Sequence, residues 1–567
     1  MPLIMALCVV IGIVIGTFYA NHFSGNRLNI INSGSNRLNN LLHIIDDQYV
    51  DSVNIDDLVE KAMPQILAEL DPHSVYISAK DVQSANDDLE GSFFGVGIEF
   101  TIRQDTIRVQ NVIEDGPAEK AGLLAGDKIV EVDGKPFVGK DVTNEEAMRR
   151  LKGPKDTKVA IGVLRYGEKK VRTFNVTRDE IHTSSISASY MLDETSGYIK
   201  IKNFGKNTYA EMHVALAKLS QQGFKNLVID LRGNTGGYLQ SAVQIANEFL
   251  PAKRLIVYTQ GRKAPRENFT SDGRGTYKDI PLIVLIDEIS ASASEILAGA
   301  IQDNDRGTII GRRSFGKGLV QQQLAFADGS MIRLTVARYY SPSGRCIQKP
   351  YSAGDNAGYE NDIVQRYKNG EFFSQDSIKH EGKVFHTVLG REVYEGGGIT
   401  PDIFIPEDTT NVTSYYKEAT MSGLILQFAF DYTDQNRKQL SQYTDMLSLS
   451  AYLKKMNTVE AFVAYAEKRG LKRRNLMIQK SYQLLERYVN SRIIYNMLDD
   501  LGWVQYINFN DPVIKASIKV FKDGTATPKR PSTTPKAIEG KEGNAKGKAA
   551  YAPLKNADRS WMAYLYF

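Results

Sequence analysis

The chain has 567 residues, 42% of them hydrophobic, and a formal net charge of +4 at pH 7. This length accommodates three or four domains with buried cores, which excludes disorder throughout. No basic stripe interleaved with aromatic residues is present, so nucleic acid is excluded as an expected partner. The two cysteines, Cys8 and Cys346, are too few for a disulfide framework, and no Cys or His spacing is typical of a metal site. We therefore predict no metal and no cofactor.

The first segment is apolar from Pro2 to Ala20 and carries no charge before Arg27. That length is about what a helix needs to cross a bilayer. Bulky aromatic residues precede Ala20, where a signal peptidase prefers small ones. We therefore predict an uncleaved membrane anchor over residues 1–22, with a cleaved signal segment or a buried core helix as the alternatives.

Helical and mixed patterns follow this segment. Over residues 28–88, apolar residues recur at helical spacing, as in LNNLLHIIDDQYV and IDDLVEKAMPQILAEL, and the helix-breaking DPHS begins at Asp71. Short strand patterns, glycine turns and two short helical patterns occupy residues 89–180. We predict a small helical region and then a compact mixed module.

Strand and helix patterns alternate over residues 181–406, which is typical of parallel βαβ units. A polar, glycine-rich insertion over about 351–397 interrupts this alternation before GITPDIFIP closes the domain. Residues 407–515 again show helical periodicity. Residues 516–567 are basic and rich in Pro, Gly, Thr and Ala, so we predict a mostly disordered tail.

The stretch SASASEILAGAIQD, from Ser290 to Asp303, follows a buried strand pattern and opens a helical one. Ser292 therefore lies near unpaired backbone N–H groups and the positive end of the helix dipole, where a developing oxyanion would be stabilised. Two interpretations are open. Ser292 is a nucleophile, or it only caps the helix, because residues Ser292 to Glu295 fit the S-x-x-E capping box.

A nucleophilic serine needs a base, and none of the seven histidines stands out as one. Lys317 is a better candidate, since it lies in a tight glycine turn after the strand that follows the serine helix. A right-handed crossover brings this turn to the same sheet edge as Ser292. To be neutral at pH 7, Lys317 would need burial that lowers its pKa by roughly three units, at a cost of about 4 kcal/mol. Two alternatives stay open: Lys317 is an ordinary surface lysine, or a Ser-His-Asp triad assembles from distant residues.

The turn LRGNTGG, from Leu231 to Gly237, ends another strand pattern and opens a helix. Glycines let the backbone approach a ligand closely and aim N–H groups at an anion. An ordinary strand-to-helix turn is the alternative. A phosphate site is disfavoured, because neither G-x-x-x-x-G-K-S/T nor G-x-G-x-x-G is present.

Five motifs together resemble the carboxy-terminal processing proteases, also called tail-specific proteases, of peptidase family S41. They are LDPHS, VIDLRGNTGG, SASASEILAGAIQD, SFGKGLVQQ, and YYSPSGRCIQKP followed by GGGITPD. The resemblance covers residues 28–406. It implies an α/β fold in which a crotonase-like βαβ protease core over 181–406 carries a circularly permuted PDZ domain over 89–180, with flanking helical segments.

The resemblance also assigns roles to residues. It makes Ser292 the nucleophile and Lys317 the general base, with Gln321 orienting the lysine. Asp303 and Glu295 take supporting roles. The oxyanion hole is formed by backbone N–H groups at Ala293, Gly236 and Gly237. The PDZ loop that binds a substrate carboxylate is formed by Gly95, Val96, Gly97 and Ile98.

The implied activity is that of a serine endopeptidase that binds accessible, apolar C-termini of peptides through the PDZ domain and cleaves envelope proteins near their tails. The implied location is the bacterial cell envelope, facing the periplasm, with an inner-membrane anchor or, alternatively, as a secreted periplasmic protein. Dimerisation through the helical ends is compatible with the sequence, which does not determine the number of subunits. Two other functions stay open: a catalytically inactive PDZ scaffold, and a crotonase-like acyl-CoA enzyme.

Overall fold

The structure is a computed structural model, and it describes six stretches of the chain: residues 34–103, 105–113, 115–140, 142–165, 168–380 and 382–530. The anchor predicted over residues 1–22 and the predicted tail from residue 531 onward lie outside the described residues. Within the described stretches, no helix combines the length and the apolar character that crossing a bilayer requires. The described residues divide into two compact units, of which the smaller comprises residues 34–80 together with 323–334 and 352–356.

The smaller unit contains two helices and a short strand: α1 (Gly34–Gln48), α2 (Ile55–Ala68) and β1 (Val75–Ile77). β1 pairs antiparallel with Met331–Arg333. The predicted breaker lies between α2 and β1, where the Asp71 carboxylate accepts hydrogen bonds from the N–H groups of His73 and Ser74. This local hydrogen bonding competes with helix continuation and turns the chain.

The larger unit begins with a small module that we call the PDZ-like module, residues 82–182. Its core is formed by inward-facing apolar side chains, among them Ile107, Ile129 and Ile161, which are fully buried. The elements are α3 (Val82–Glu90), β2 (Ser92–Gly95), β3 (Ile98–Arg103), β4 (Thr106–Val112), α4 (Pro117–Ala121), β5 (Lys128–Val132), β6 (Lys135–Pro136), α5 (Asn144–Leu151), β7 (Lys158–Leu164), β8 (Arg172–Thr177) and β9 (Asp179–His182). The strands run in the order β3-β4-β5-β7-β8, with β6 on β5 and a separate β2-β9 pair.

The next segment forms a six-stranded sheet whose strands lie in the order 186–191, 196–201, 226–230, 282–286, 308–311 and 403–404, and the sheet is parallel from the second strand onward. Its central strands, NLVID and LIVLI, are apolar runs because both faces of the sheet are covered. The elements are β10 (Ile186–Met191), β11 (Ser196–Ile201), α6 (Thr208–Gln221), β12 (Asn226–Asp230), α7 (Leu239–Phe249), β13 (Leu255–Gln260), β14 (Glu267–Thr270), β15 (Leu282–Ile286), α8 (Ala293–Asp303) and β16 (Thr308–Gly311).

The insertion predicted over 351–397 has secondary structure of its own and is preceded by two long strands. β13 pairs antiparallel with β14 and with Arg338–Tyr340. The elements are β17 (Leu319–Ala325), β18 (Met331–Tyr340), α9 (Asn356–Lys368), a 3₁₀ turn (Gln375–Ser377), β19 (Val384–His386), β20 (Glu392–Tyr394) and β21 (Ile403–Phe404).

The remaining described residues are helical and pack around their own apolar core, which includes Phe428, Phe462 and Val489. The helices are α10 (Ser414–Met421), α11 (Leu424–Leu440), α12 (Met446–Lys455), α13 (Thr458–Glu467), α14 (Asn475–Lys480), α15 (Tyr482–Asn508) and α16 (Pro512–Lys522). This helical region contacts the PDZ-like module, since Asn111 Nδ2 donates to Asp499 Oδ1 at 2.8 Å.

The predicted boundary between the helical region and the mostly disordered tail, at residues 515 and 516, falls inside α16, which continues to Lys522. Its apolar face, with Ile514 and Val520 buried, packs against Ile283 of β15 and neighbouring residues of the parallel sheet. The basic composition beyond this helix concealed its apolar spacing. α16 thus covers the face of the sheet opposite to α7 and α8.

We expect Ile514→Ala to lower the free energy of unfolding by about 2–5 kcal/mol, because it opens a cavity between α16 and the sheet. Lys519→Ala, on the exposed face of the same helix, should change it by about 0.5 kcal/mol or less. Urea denaturation followed by tryptophan fluorescence measures both, since Trp503 packs against the same cluster. Equal stability of the two variants would contradict the packing described here.

Candidate active site

Three turns meet at the carboxyl edge of the parallel sheet. They are the glycine turn after β12 (residues 231–237), the serine turn after β15 (287–292) and the lysine turn after β16 (312–318). β12, β15 and β16 are adjacent and parallel, so their carboxyl ends lie at one edge. Ligands of open α/β sheets bind at this edge.

Ser292 has a strained backbone. Its φ is 56° and its ψ is −113°, a conformation that a residue with a side chain adopts only when its surroundings enforce it. It lies immediately before α8 and is half-buried. Such strain concentrates at functional sites, so the backbone distinguishes this serine from its neighbours.

The two flanking serines have structural roles. Ser290 Oγ donates to the Leu231 carbonyl oxygen at 2.8 Å, and Ser294 Oγ donates to the Asn234 carbonyl oxygen at 2.9 Å. Both side chains are fully buried. They fasten the serine turn to the glycine turn, and Ser292 lies between them.

Gly236 lies against the serine turn. Its φ is +106°, and an added Cβ would lie 2.7 Å from Ser292 Cβ and 2.8 Å from the Ala291 carbonyl oxygen. Its N–H donates to Asn234 Oδ1 at 2.8 Å, so the structure does not offer this predicted oxyanion-hole donor to a substrate. Gly236 instead allows the close approach of the two turns.

The other predicted donors are placed differently. Ala293 is the first residue of α8, and Gly237 follows Gly236 in the glycine turn. Within the described stretches, no protein group accepts a hydrogen bond from the N–H of either residue. A helix N-terminus beside a glycine turn is an arrangement that can stabilise an oxyanion.

Glu295 connects the serine turn with the lysine turn. Its carboxylate is buried and accepts four hydrogen bonds of 2.5 to 2.8 Å. The donors are the N–H of Ser292, the Oγ of Ser314, and the N–H groups of Gly316 and Lys317. Burial raises the pKa of Glu295 to about 7, against the effect of these donors.

Tyr339, on β18, is a site residue that the sequence reasoning missed. Its buried hydroxyl donates to the Lys317 carbonyl oxygen and lies 3.1 Å from the Ser292 carbonyl oxygen. Burial holds the pKa of this tyrosine well above its ordinary value, so the hydroxyl keeps its proton. Tyr339 is the first residue of the motif YYSPSGRCIQKP noted above, but its position there gave no sign of these contacts.

The remaining predicted core residues lie at different distances from these turns. Gln321 is on β17, where its Nε2 donates to Thr335 Oγ1 at 3.3 Å, and its role in orienting the half-buried Lys317 stays a prediction. Asp303 ends α8 and forms a 2.7 Å ion pair with the fully buried Arg345. Asp303 is eleven residues after Ser292 and therefore lies about 16 Å along the helix from it, a place suited to structural support.

The predicted carboxylate-binding loop connects β2 to β3 in the PDZ-like module. The Val96 carbonyl oxygen accepts from Ala118 N–H at 2.8 Å, and the Gly97 carbonyl oxygen accepts from Ile113 N–H at 3.1 Å. Gly97 has a φ of +78°. Among the residues that the structure describes, the N–H groups of Val96 and Gly97 have no protein acceptor.

Comparisons with known proteins match three parts of the chain. Residues 195–365 match peptidase family S41, residues 95–177 match a PDZ domain, and residues 415–499 match a family of unknown function, DUF8443. The helical region around α10 to α15 therefore corresponds to a family without an assigned role.

Named relatives agree with these matches. The chain is 38% identical over 317 residues to a carboxy-terminal-processing protease of Bartonella bacilliformis. The aligned region covers 55% of this chain and 72% of the relative. It is also 38% identical over 296 residues to a carboxyl-terminal-processing protease of Synechocystis sp., covering 51% of this chain and 68% of that one. A solved photosystem II D1 C-terminal processing protease is 27% identical, covering 64% of this chain and 91% of that chain, with a TM-score of 0.33.

We expect Gly236→Ala to slow the labelling of Ser292 by a fluorophosphonate, a probe of activated serines, by roughly a hundredfold. The added methyl forces the serine turn to move, and a 1 Å displacement of reacting groups costs about that factor. Gly233→Ala is the matched control, because Gly233 also has a positive φ but no atom lies within 4 Å of an added Cβ. Equal losses in both variants would show that backbone strain alone is responsible.

Glu295 also predicts a pH dependence of stability. Its pKa is about 7 in the folded protein against an ordinary 4.5, so its contribution to stability is complete below about pH 4.5 and is lost as the pH rises through about 7. Between these values, the free energy of unfolding should fall by about 3 kcal/mol more in the unmodified protein than in Glu295→Gln. Urea denaturation across this pH range measures the difference. A difference that stays constant or changes in the opposite sense would contradict the buried, proton-binding carboxyl group.

Proposed function

We propose that this chain, which belongs to the carboxy-terminal processing proteases of peptidase family S41, cleaves peptide bonds with a Ser292-Lys317 dyad. The coarser conclusion, a serine-type peptidase with a PDZ domain, follows from the family. The observation that carries the finer proposal is the Glu295 carboxylate, which binds the N–H groups of both Ser292 and Lys317. This shared partner supports a single site made from the two turns.

The proposed reaction begins with neutral Lys317. Its Nζ takes the proton of Ser292 Oγ as this oxygen attacks the carbonyl carbon of the scissile peptide bond. The N–H groups of Ala293 and Gly237 stabilise the oxyanion of the tetrahedral intermediate. The C–N bond then breaks, and the lysine gives its proton to the leaving amine.

The resulting acyl-enzyme is an ester of Ser292. Lys317, neutral again, takes a proton from a water molecule whose oxygen attacks the ester carbonyl carbon. The C–O bond to Ser292 Oγ breaks, and the serine recovers its proton from the lysine. Because only neutral Lys317 can accept a proton, acylation should become faster as the pH rises.

The PDZ domain is proposed to select substrates by their C-termini. The N–H groups of Val96 and Gly97, which have no acceptor among the residues that the structure describes, support binding of a terminal carboxylate, as backbone N–H groups do in other terminus-binding loops. The peptide would add a strand to the module, with an apolar side chain at its end. Binding there holds the tail for cleavage at Ser292.

The location is proposed from the sequence alone. The apolar residues from Pro2 to Ala20 support anchoring in the bacterial cell envelope, where exported proteins would be the substrates. Fractionation of bacteria that express the chain with and without residues 1–22 tests this proposal. Release from the membrane fraction on deletion is expected, and an unchanged distribution would contradict the anchor.

The dyad and the PDZ role are tested together with one peptide that ends in an apolar residue, made with a free and with an amidated C-terminus. We expect Ser292→Ala and Lys317→Ala to lose at least about a thousandfold in kcat, as in other enzymes that lose a nucleophile or its base. Ser220→Ala, on the exposed surface of α6, leaves the nucleophile and the three turns unchanged and should retain turnover. Amidation should raise KM of the unmodified enzyme, since it removes the carboxylate that the PDZ loop binds.

The alternatives give different results in the same assay. Binding without cleavage by the unmodified protein would support an inactive scaffold. Thioester hydrolysis without peptide cleavage would support an acyl-CoA enzyme. Full peptide cleavage by Ser292→Ala or Lys317→Ala would contradict the dyad.

A further inference from the structure

The lysine turn is held by contacts from several parts of the chain. Glu295 binds two of its N–H groups and Tyr339 one of its carbonyl oxygens, as described above. Further along the chain, Gln348 Oε1 accepts from Gly318 N–H at 2.7 Å, and Lys349 N–H donates to the Gly316 carbonyl oxygen at 2.9 Å. The position of Lys317 therefore depends on segments well beyond the three turns.

The insertion supplies a further set of contacts through α9. Arg366 is buried in the last turn of this helix. Its guanidinium donates from Nη2 to the carbonyl oxygen of Arg313 at 2.7 Å and from Nη1 to that of Ser314 at 2.9 Å. The two bonds hold successive carbonyl oxygens at the start of the lysine turn.

A carboxylate orients this guanidinium. Glu371 accepts from Arg366 Nε at 2.8 Å and from Nε and Nη2 of Arg313 at 2.6 and 2.7 Å. Arg313 Nη1 in turn donates to the Gly397 carbonyl oxygen. The rigid fork of an arginine fixes both the distance and the angle of such contacts, which a lysine cannot do.

Other residues on the same face of α9 contact the lysine turn indirectly. Tyr359 and Asp362 precede Arg366 by seven and four residues, so the three side chains share one side of the helix. Lys349 Nζ lies 4.0 Å from the ring centres of Tyr359 and of Phe315, a member of the lysine turn. The same ammonium donates to Asp362 Oδ2 at 3.1 Å.

Buried ion pairs are weak evidence for stability, because desolvation offsets most of their attraction. An apolar contact of the same volume would hold α9 against the core equally well. What the Arg366 fork adds is the placement of two particular carbonyl oxygens, only three and four residues before Lys317. This specificity indicates a role in geometry.

We infer that the insertion belongs to the catalytic apparatus and that Arg366 is a positioning residue, which fixes the lysine turn so that Lys317 meets Ser292. This inference rests on the proposed function, in which Lys317 is the base. The match to peptidase family S41 ends at residue 365, so Arg366 and Glu371 lie just beyond it. Arg366 does not touch the reacting atoms and acts through the backbone of residues 313 and 314.

The test compares two arginines of the same insertion. Arg366→Met removes the fork. Arg391→Met is the matched control, because Arg391 also forms ion pairs, with Asp305 and Asp402, but contacts the end of α8 and not the lysine turn. Melting temperature, kcat and KM are measured for each variant with the peptide that has a free C-terminus.

We expect Arg366→Met to lower kcat by roughly a hundredfold and to change KM by about threefold or less, because the base is displaced while the PDZ domain still binds the tail. Arg366→Lys keeps the charge but not the fork and should recover only part of kcat. Arg391→Met should lower the melting temperature and leave kcat within about threefold. If Arg366→Met does not fold, Tyr359→Phe takes its place. This variant removes only the hydroxyl that binds Gln348 and should give a milder loss of kcat.

A folded Arg366→Met with unchanged kcat would overturn the inference, as would an equal loss of kcat in Arg391→Met. If Arg366→Met does not fold, an unchanged kcat in Tyr359→Phe overturns it. These outcomes are distinct from failure of the dyad. Full activity in Lys317→Ala would contradict the proposed function, whereas inactivity of Lys317→Ala together with full activity of Arg366→Met would contradict only the role of the insertion.

Discussion

One buried carboxylate determines how the site is assembled. A charge removed from water requires hydrogen-bond donors, and those of Glu295 come from the serine turn on one side and the lysine turn on the other. Neither turn can shift alone without leaving part of this carboxylate unsatisfied. The raised pKa of Glu295 reports what its burial costs, and the same burial makes its hydrogen bonds strong enough to join two turns that are far apart in sequence.

The parallel sheet brings the turns into range of that carboxylate. Adjacent strands β12, β15 and β16 end at one edge, and the buried Ser290 and Ser294 join the glycine and serine turns there. α16 covers the opposite face of the sheet, and the Asp511 carboxylate at its start binds Arg232 of the glycine turn at 2.6 Å. The layers around the sheet therefore also constrain the turns at its edge.

The sequence allowed the local parts of this arrangement to be predicted. The capping pattern from Ser292 to Glu295 and the alternation of strands and helices depend on neighbouring residues, so they could be recognised directly. Tyr339 and Arg366 reach the lysine turn from 22 and 52 or 53 residues away, and no periodicity encodes such contacts. Two other findings have local causes. The Gly236 N–H is bound by Asn234, two residues before it, through a turn geometry that the residue types alone do not specify. The apolar face of α16 was hidden within a basic composition.

The role proposed for Glu295 is to hold the two turns so that Ser292 Oγ and Lys317 Nζ face each other. A crystal structure of the protein with a tail peptide bound tests it most directly, through the distance between these two atoms. We expect the two atoms to lie within hydrogen-bond reach, about 2.6–3.2 Å apart, with the Glu295 carboxylate bound to the N–H groups of both residues. Side chains that point away from each other in the peptide complex, with Glu295 bound to only one turn, would contradict it.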